Sequence, residues 1–271
     1  MKAPDRFTFH GTATLLSGRI QRPRRLWLDA GPASVLPANG GISNTEAGRQ
    51  DFGGVVGFRA GSTHAEGAAH HHRHKGGAPA GHAHKSLRAS HAHTGAEVER
   101  LFVDGGRVRM TARAICAELT ALCPCEEKQP SIGQMDGACF DGIAFGRHRL
   151  KVTLNRSLFR EHDTHDKICA LARGKQPHQA VLHAPRTRGA AEPVITTIVR
   201  RLHWEGAPYP GATIDRHAVT IPGFGTVYFG ELVAKGATRR LTMLRFELDG
   251  AVTAHGACCE VEAGGSWVRP A

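Results

Sequence analysis

The chain has 271 residues, a formal charge of +11, 41% apolar residues, 6% aromatic residues, 33 glycines and seven cysteines. That length supports a core without disulfide staples, and the odd cysteine count argues against a complete disulfide framework. No stretch approaches the ~20 apolar residues of a membrane helix, and Met1–Arg6 lacks the hydrophobic run of a secretory signal. The expected compartment is therefore the cytoplasm, with reduced thiols.

In chain order, Phe7–His10 and Thr12–Leu16 are rich in strand formers, broken by Gly11. Leu26-Trp27-Leu28 and Val55–Arg59 read as short strands between Gly- and Pro-bearing turns. This spacing predicts a sandwich or barrel rather than βαβ units. From Ser62 to Thr94 the pattern stops. Gly, Ala, Ser, His, Lys and Arg dominate, and the span 64–93 holds nine of the 18 histidines. With so little apolar area to offset ordering entropy, it reads as a disordered loop inserted between strands.

Val98–Val103 and Arg107–Thr111 flank Asp104-Gly105-Gly106, a hairpin signature. Ala112–Leu122 continues as strand. Ile143–Leu154 reads as a second hairpin, turning at Gly146-Arg147. Ser157–Ala172 has helical spacing, with Ser157 as its cap. Gly174–Pro193 is polar and basic and reads as a linker. Val194–Trp204, Thr226–Ala234 and Leu241–Leu248 are strands. In the last, Thr242, Leu244, Phe246 and Leu248 share an inward face.

Phe9-His10-Gly11 with its following strand, Ser131–Asp163, and Ile221–Leu248 with the run Arg239-Arg240-Leu241-Thr242-Met243 give the chain a likeness. It resembles an uncharacterised bacterial β-rich protein family with no established activity. The resemblance implies a β-rich fold and carries over no catalytic residue. The histidine tract departs from that pattern, as an insertion would.

Candidate chemistry centres on histidine. His64, His70, His71, His72, His74, His82, His84, His91 and His93 offer many imidazole ligand sets, which suit zinc or nickel. Glu161-His162-Asp163-Thr164-His165-Asp166 is a second cluster. Helical spacing brings His162 near Asp166 and Glu161 near His165, making His162, His165 and Asp166 a lesser metal candidate beside a mixed-charge surface. Cys123-Pro124-Cys125 and Cys258-Cys259 lack zinc-ribbon spacing. Glu231, within an apolar strand, is an acid/base candidate if it points inward. The arginine pairs Arg24-Arg25, Arg200-Arg201 and Arg239-Arg240 are scattered, and no helix-turn-helix, zinc-finger or RNA-recognition pattern accompanies them, so no specific nucleic-acid partner is expected.

The expected fold is mostly β, an antiparallel sandwich or barrel-like structure with one short helix and one disordered His-rich loop. Its expected parts are a β-rich region 1–173 with the insert at 64–95, a linker 174–193, and an antiparallel region 194–271. The two β regions share one core or hold separate ones. The leading function class is a non-catalytic binding or self-assembly protein, forming a homo-oligomer through exposed strand edges. The alternatives are metal binding or buffering through the tract, with zinc or nickel as the ion, and an enzyme whose site the sequence does not name.

Overall fold

The computed structural model describes residues 6–29, 33–72, 87–124, 131–132, 135–173, 178–184 and 192–268. The first half of the chain supplies β1 (Arg6–Arg22), β2 (Leu26–Trp27), β3 (Ala33–Val35), β4 (Gly41–Ala47), β5 (Gln50–Phe52), β6 (Val56–Phe58), β7 (Ala60–His72), β8 (Leu87–Asp104) and β9 (Arg109–Pro124). Shorter pieces follow: β10 (Ser131–Ile132), β11 (Cys139–Asp141), β12 (Ala144–Phe145), β13 (His148–Leu154), α1 (Arg156–Glu161), α2 (His165–Arg173) and β14 (Val181–His183). The last part forms β15 (Val194–Thr197), β16 (Val199–Glu205), β17 (Thr213–Asp215), β18 (Ala218–Ile221), β19 (Gly225–Lys235), β20 (Thr238–Asp249) and β21 (Thr253–Val268). β14 falls inside the span 174–193.

These strands make two sheets packed face to face. Sheet A follows the order β14-β15-β19-β20-β21-β1-β2, with β18 and then β17 flanking β19, and β3 beside β1. Sheet B follows β16-β13-β12-β9-β8-β6-β5, with β7 and then β4 flanking β8, and β10 and β11 flanking β9. Every pairing is antiparallel. The structure is thus mostly β and sandwich-like. Buried residues from Phe7 to Ala263, on both sheets, form one cluster.

Several strand expectations hold. β8 and β9 pair from Asp104↔Arg109 back to Ala89↔Pro124, so Ala112–Leu122 is strand. β19 and β20 pair from Gly225↔Leu248 to Lys235↔Thr238, but Thr242, expected on the inward face with Leu244, lies beside Glu231 and Glu260 on the other face, because Met243 and Leu244 are buried in succession. The hairpin at Gly146-Arg147 closes with Phe145↔His148. Val194–Trp204 differs from the expected single strand. The chain leaves sheet A after Thr197 and enters sheet B at Val199, passing through buried Ile198.

The reading of 64–93 as a loop is corrected. β7 runs through His72 and β8 begins at Leu87, in register from Ala60↔Glu99 to His72↔Leu87. Alternation is present, but its inward positions are small: Thr63, Ala65 and Gly67 on β7, and Ser90, Ala92, Thr94 and Ala96 on β8. Sheet A fills the space they leave. A Cβ on Gly67 would lie 2.8 Å from Phe9 and 2.9 Å from Leu36, and one on Gly61 would lie 2.6 Å from Leu15. The apolar area comes from the facing sheet, so the two strands order without large apolar side chains of their own. Residues 73–86 lie outside the described residues.

Each sheet is also kinked along a row. In sheet A, Phe229-Gly230, Met243-Leu244, Cys258-Cys259 and Leu15-Leu16 each bury two consecutive residues, although flanking pairs keep their register. In sheet B, Glu99-Arg100 and Arg113-Ala114 both turn outward. Gly230, Cys259 and Arg100 carry left-handed φ values of 62°, 52° and 51°. Such bulge-like turns switch which face later side chains occupy and bend the sheet.

The expected helix Ser157–Ala172 is two helices. The carbonyl of Asp163 accepts from Ile132 N at 2.8 Å, and Thr164 Oγ1 accepts from Lys167 N at 3.4 Å as a fresh N-cap. Asn155, rather than Ser157, occupies the first N-cap position.

Candidate functional site

Because the inward residues of β7 and β8 are odd- and even-numbered respectively, the other half of each strand faces outward. β7 presents Ser62, His64 and Glu66, β8 presents His91, His93, Gly95 and Glu97, and β9 presents Cys116, Glu118 and Thr120. Register places His64 beside Gly95 and Glu118, and Glu66 beside His93 and Thr120. β4 adds Asn44 next to His64. Gly95 carries no side chain, so the neighbours surround an open spot on the sheet.

The two imidazoles there are oriented by hydrogen bonds. His64 Nδ1 donates to Asn44 Oδ1 at 2.5 Å, and His93 Nδ1 bonds Thr120 Oγ1 at 2.8 Å. The ring centroids are 5.3 Å apart, at 57°. His64 Nε2 lies 3.6 Å from Glu66 Oε2. Glu118 accepts from the backbone N–H of Gly137. Burial pushes the His93 pKa below the ordinary imidazole value; Glu118 and Glu66 pull it up, His64 pushes it down, and burial wins. Fixing a ring through Nδ1 leaves Nε2 as the available ligand atom, as outer hydrogen bonds do at metal centres.

Of the other expected ligands, His91 lies on the same face of β8. The backbones of His70, His71 and His72 pair with Ala89, Arg88 and Leu87. His74, His82 and His84 lie outside the described residues. Among the described residues, no three His, Cys, Asp or Glu side chains stand together in a geometry ready for a metal.

The second cluster does not converge. His165 is 1% exposed, with its ring nitrogens 3.6 and 3.8 Å from Cys169 Sγ and Nε2 3.4 Å from the Glu192 carbonyl. Asp166 points to solvent, 3.7 Å from His165 Nδ1. His162 is half-buried at the helix break. Burial pushes the Cys169 thiol up, away from the reactive thiolate.

Nor, among the described residues, do four thiols come together. Cys258 and Cys259 are buried in β21, Cys123 is buried in β9, and Cys125 lies outside the described residues. Burial raises Cys123 to about 12, with Arg239 opposing. Cys116 and Cys139 face each other across β9 and β11 as free thiols.

Glu231 is on the outer face of sheet A, beyond the kink at Gly230. It accepts from Arg245 Nε at 2.9 Å, Arg245 Nη2 at 3.0 Å and His217 Nε2 at 3.2 Å. Burial pushes its pKa up, but the His217 and Arg245 hydrogen bonds and charges outweigh it and hold the value at about 2. Arg245 also pairs with Glu247 and stacks 3.8 Å above the Tyr228 ring. A fully paired carboxylate of this kind is a structural ion pair rather than a proton donor.

Residues 7–188 match the family described as a domain of unknown function, DUF8256. The chain belongs to that family. The DUF8256 match covers β1 to β14, and with them the whole His64–His93 face; β15 to β21 lie beyond it. No activity is known for DUF8256. No curated protein and no solved structure matches the chain. Among the described residues, no helix is long and apolar enough to cross a membrane.

Asn44, Glu66, Glu118 and Thr120 were not foreseen as site residues. The available signal was the two-residue spacing of His64-Ala65-Glu66 and His91-Ala92-His93, which is strand spacing rather than loop composition.

Proposed function

We propose that this protein is a non-catalytic binding protein, and that the outer face of sheet B takes a divalent transition-metal ion at His64 and His93. The observation that carries this is the pair of imidazoles on adjacent strands, each tied through Nδ1 to a neighbour. Neutral imidazole suits zinc and nickel. Glu66, beside His64, is the side chain best placed to become a third ligand by rotation, with water completing the shell. Nitrogen NMR of the labelled imidazoles during zinc addition tests this. The Nε2 resonances of His64 and His93 should move while both Nδ1 atoms stay protonated. Unchanged His64 and His93 signals would remove the ion from this face.

Self-assembly has its own support. β4 pairs with β7 on one side, and among the described residues no strand pairs its other edge. Its Ile42 is 64% exposed, and Val35 on neighbouring β3 is also exposed. An open edge with exposed apolar residues favours strand-to-strand association. Light scattering of the wild type and Ile42→Lys should show an oligomer that the charge disrupts. A monomeric wild type would rule this out.

A further inference from the structure

We propose that the β1–β2 hairpin is a binding site for single-stranded nucleic acid, used without regard to sequence. The arginines look scattered along the chain, but folding gathers Arg19, Arg22, Arg24 and Arg25 onto one exposed hairpin. Among the described residues, none of the four has a carboxylate within ion-pair distance. Trp27, opposite Arg19 in the strand pair, is 67% exposed. Arg19, Gln21, Arg22, Arg25, Leu26 and Trp27 line a recess of about 650 Å³.

The hairpin is anchored rather than loose. Ile20 and Leu28 at its base are buried in the core, and Leu28 N donates to the Gly18 carbonyl at 2.9 Å. Exposing an indole is otherwise unfavourable, since its apolar area gains from leaving water. An exposed ring beside guanidinium groups that have no ion-pair partner among the described residues has the two parts of a single-strand site: a surface on which a base stacks, and cations for the phosphates. Stacking on a ring tolerates any base, which agrees with the absence of a base-reading motif. The charge of +11 adds long-range attraction for a polyanion. An anionic membrane is the competing partner, but a recessed wall with one indole and Leu26 offers little apolar area to insert.

The test is fluorescence anisotropy of a labelled short oligothymidylate titrated with the full chain over a range of salt. Each phosphate contact on a single strand contributes about 0.7 to the log–log salt slope, so four arginines give a slope near −3. Arg24→Gln/Arg25→Gln should lower the slope by roughly 1.4. Trp27→Ala should weaken binding about tenfold at an unchanged slope, and Trp27→Phe should restore most of it. All three changes lie on exposed positions, so each variant should keep the wild-type melting temperature. The site is overturned if the oligonucleotide fails to bind at low salt, or if folded variants bind as the wild type does. It is also overturned if phosphatidylglycerol vesicles bind, with a blue shift of tryptophan emission that Trp27→Ala abolishes, and the oligonucleotide does not.

Discussion

Cys259 donates its thiol hydrogen to the carbonyl of Ile115 at 3.2 Å, directly across the interface between the two sheets. Cys259 sits in the kink row of sheet A with a φ of 52°, and Ile115 follows the kink of sheet B. The two bends therefore meet. Cys259→Ala removes a buried sulfur and one hydrogen bond and should cost about 1–2 kcal/mol. Cys259→Val keeps apolar volume but puts a β-branched residue in the left-handed region, adding about 1–2 kcal/mol. Urea unfolding should rank wild type above Ala above Val. Val as stable as wild type would mean that the kink is not held at this residue.

Phe246 is fully buried on β20, against sheet B, with Leu244 on the same face. Gly256 makes room for it: a Cβ there would lie 2.6 Å from the ring. Phe246→Ala should lose about 3–5 kcal/mol in chemical denaturation. An unchanged midpoint would take Phe246 out of the core.

The Glu231–Arg245 pair makes stability depend on pH. The folded Glu231 pKa, about 2, lies below the ordinary 4.5. The pair therefore stabilises the fold fully above the unfolded value, and the contribution fades as pH falls from about 4.5 toward about 2. Its size is up to about 3 kcal/mol at neutral pH. Glu231→Gln should reduce neutral-pH stability and flatten the acid limb of the melting-temperature profile. A variant with the wild-type acid limb would assign that titration elsewhere.

The sheet strands legible in the sequence were those whose large residues alternate, as Leu244, Phe246 and Leu248 do. β7 and the part of β8 before Val98 were illegible because Ala65, Gly67, Ala92 and Ala96 register as weakly hydrophobic, while the bulk that packs on them, Phe9, Leu15 and Leu36, lies elsewhere in the chain. Composition over 64–93 therefore resembled a loop. The helix break was hidden because apolar residues keep helical spacing across Asp163-Thr164, two cap-favouring residues, and the break itself depends on Ile132 bonding the Asp163 carbonyl while Thr164 caps anew. Cys258-Cys259 hid a kink that violates alternation. The histidines were visible as a group, but the pairing of His64 with His93 depends on a strand register that only the folded sheets display.

Metal binding by the outer face of sheet B is tested most directly by calorimetric titration of zinc into three chains at neutral pH. These are the wild type, His64→Ala/His93→Ala, and a chain with residues 73–86 replaced by a short Gly/Ser linker. Both substituted residues are half-exposed on the sheet surface, so the double variant should melt as the wild type does without metal. The linker chain should keep one zinc site of wild-type affinity, and the double variant should lose it. A linker chain that binds nothing beside a double variant that binds as the wild type does would contradict the assignment and move the ion to His74, His82 and His84.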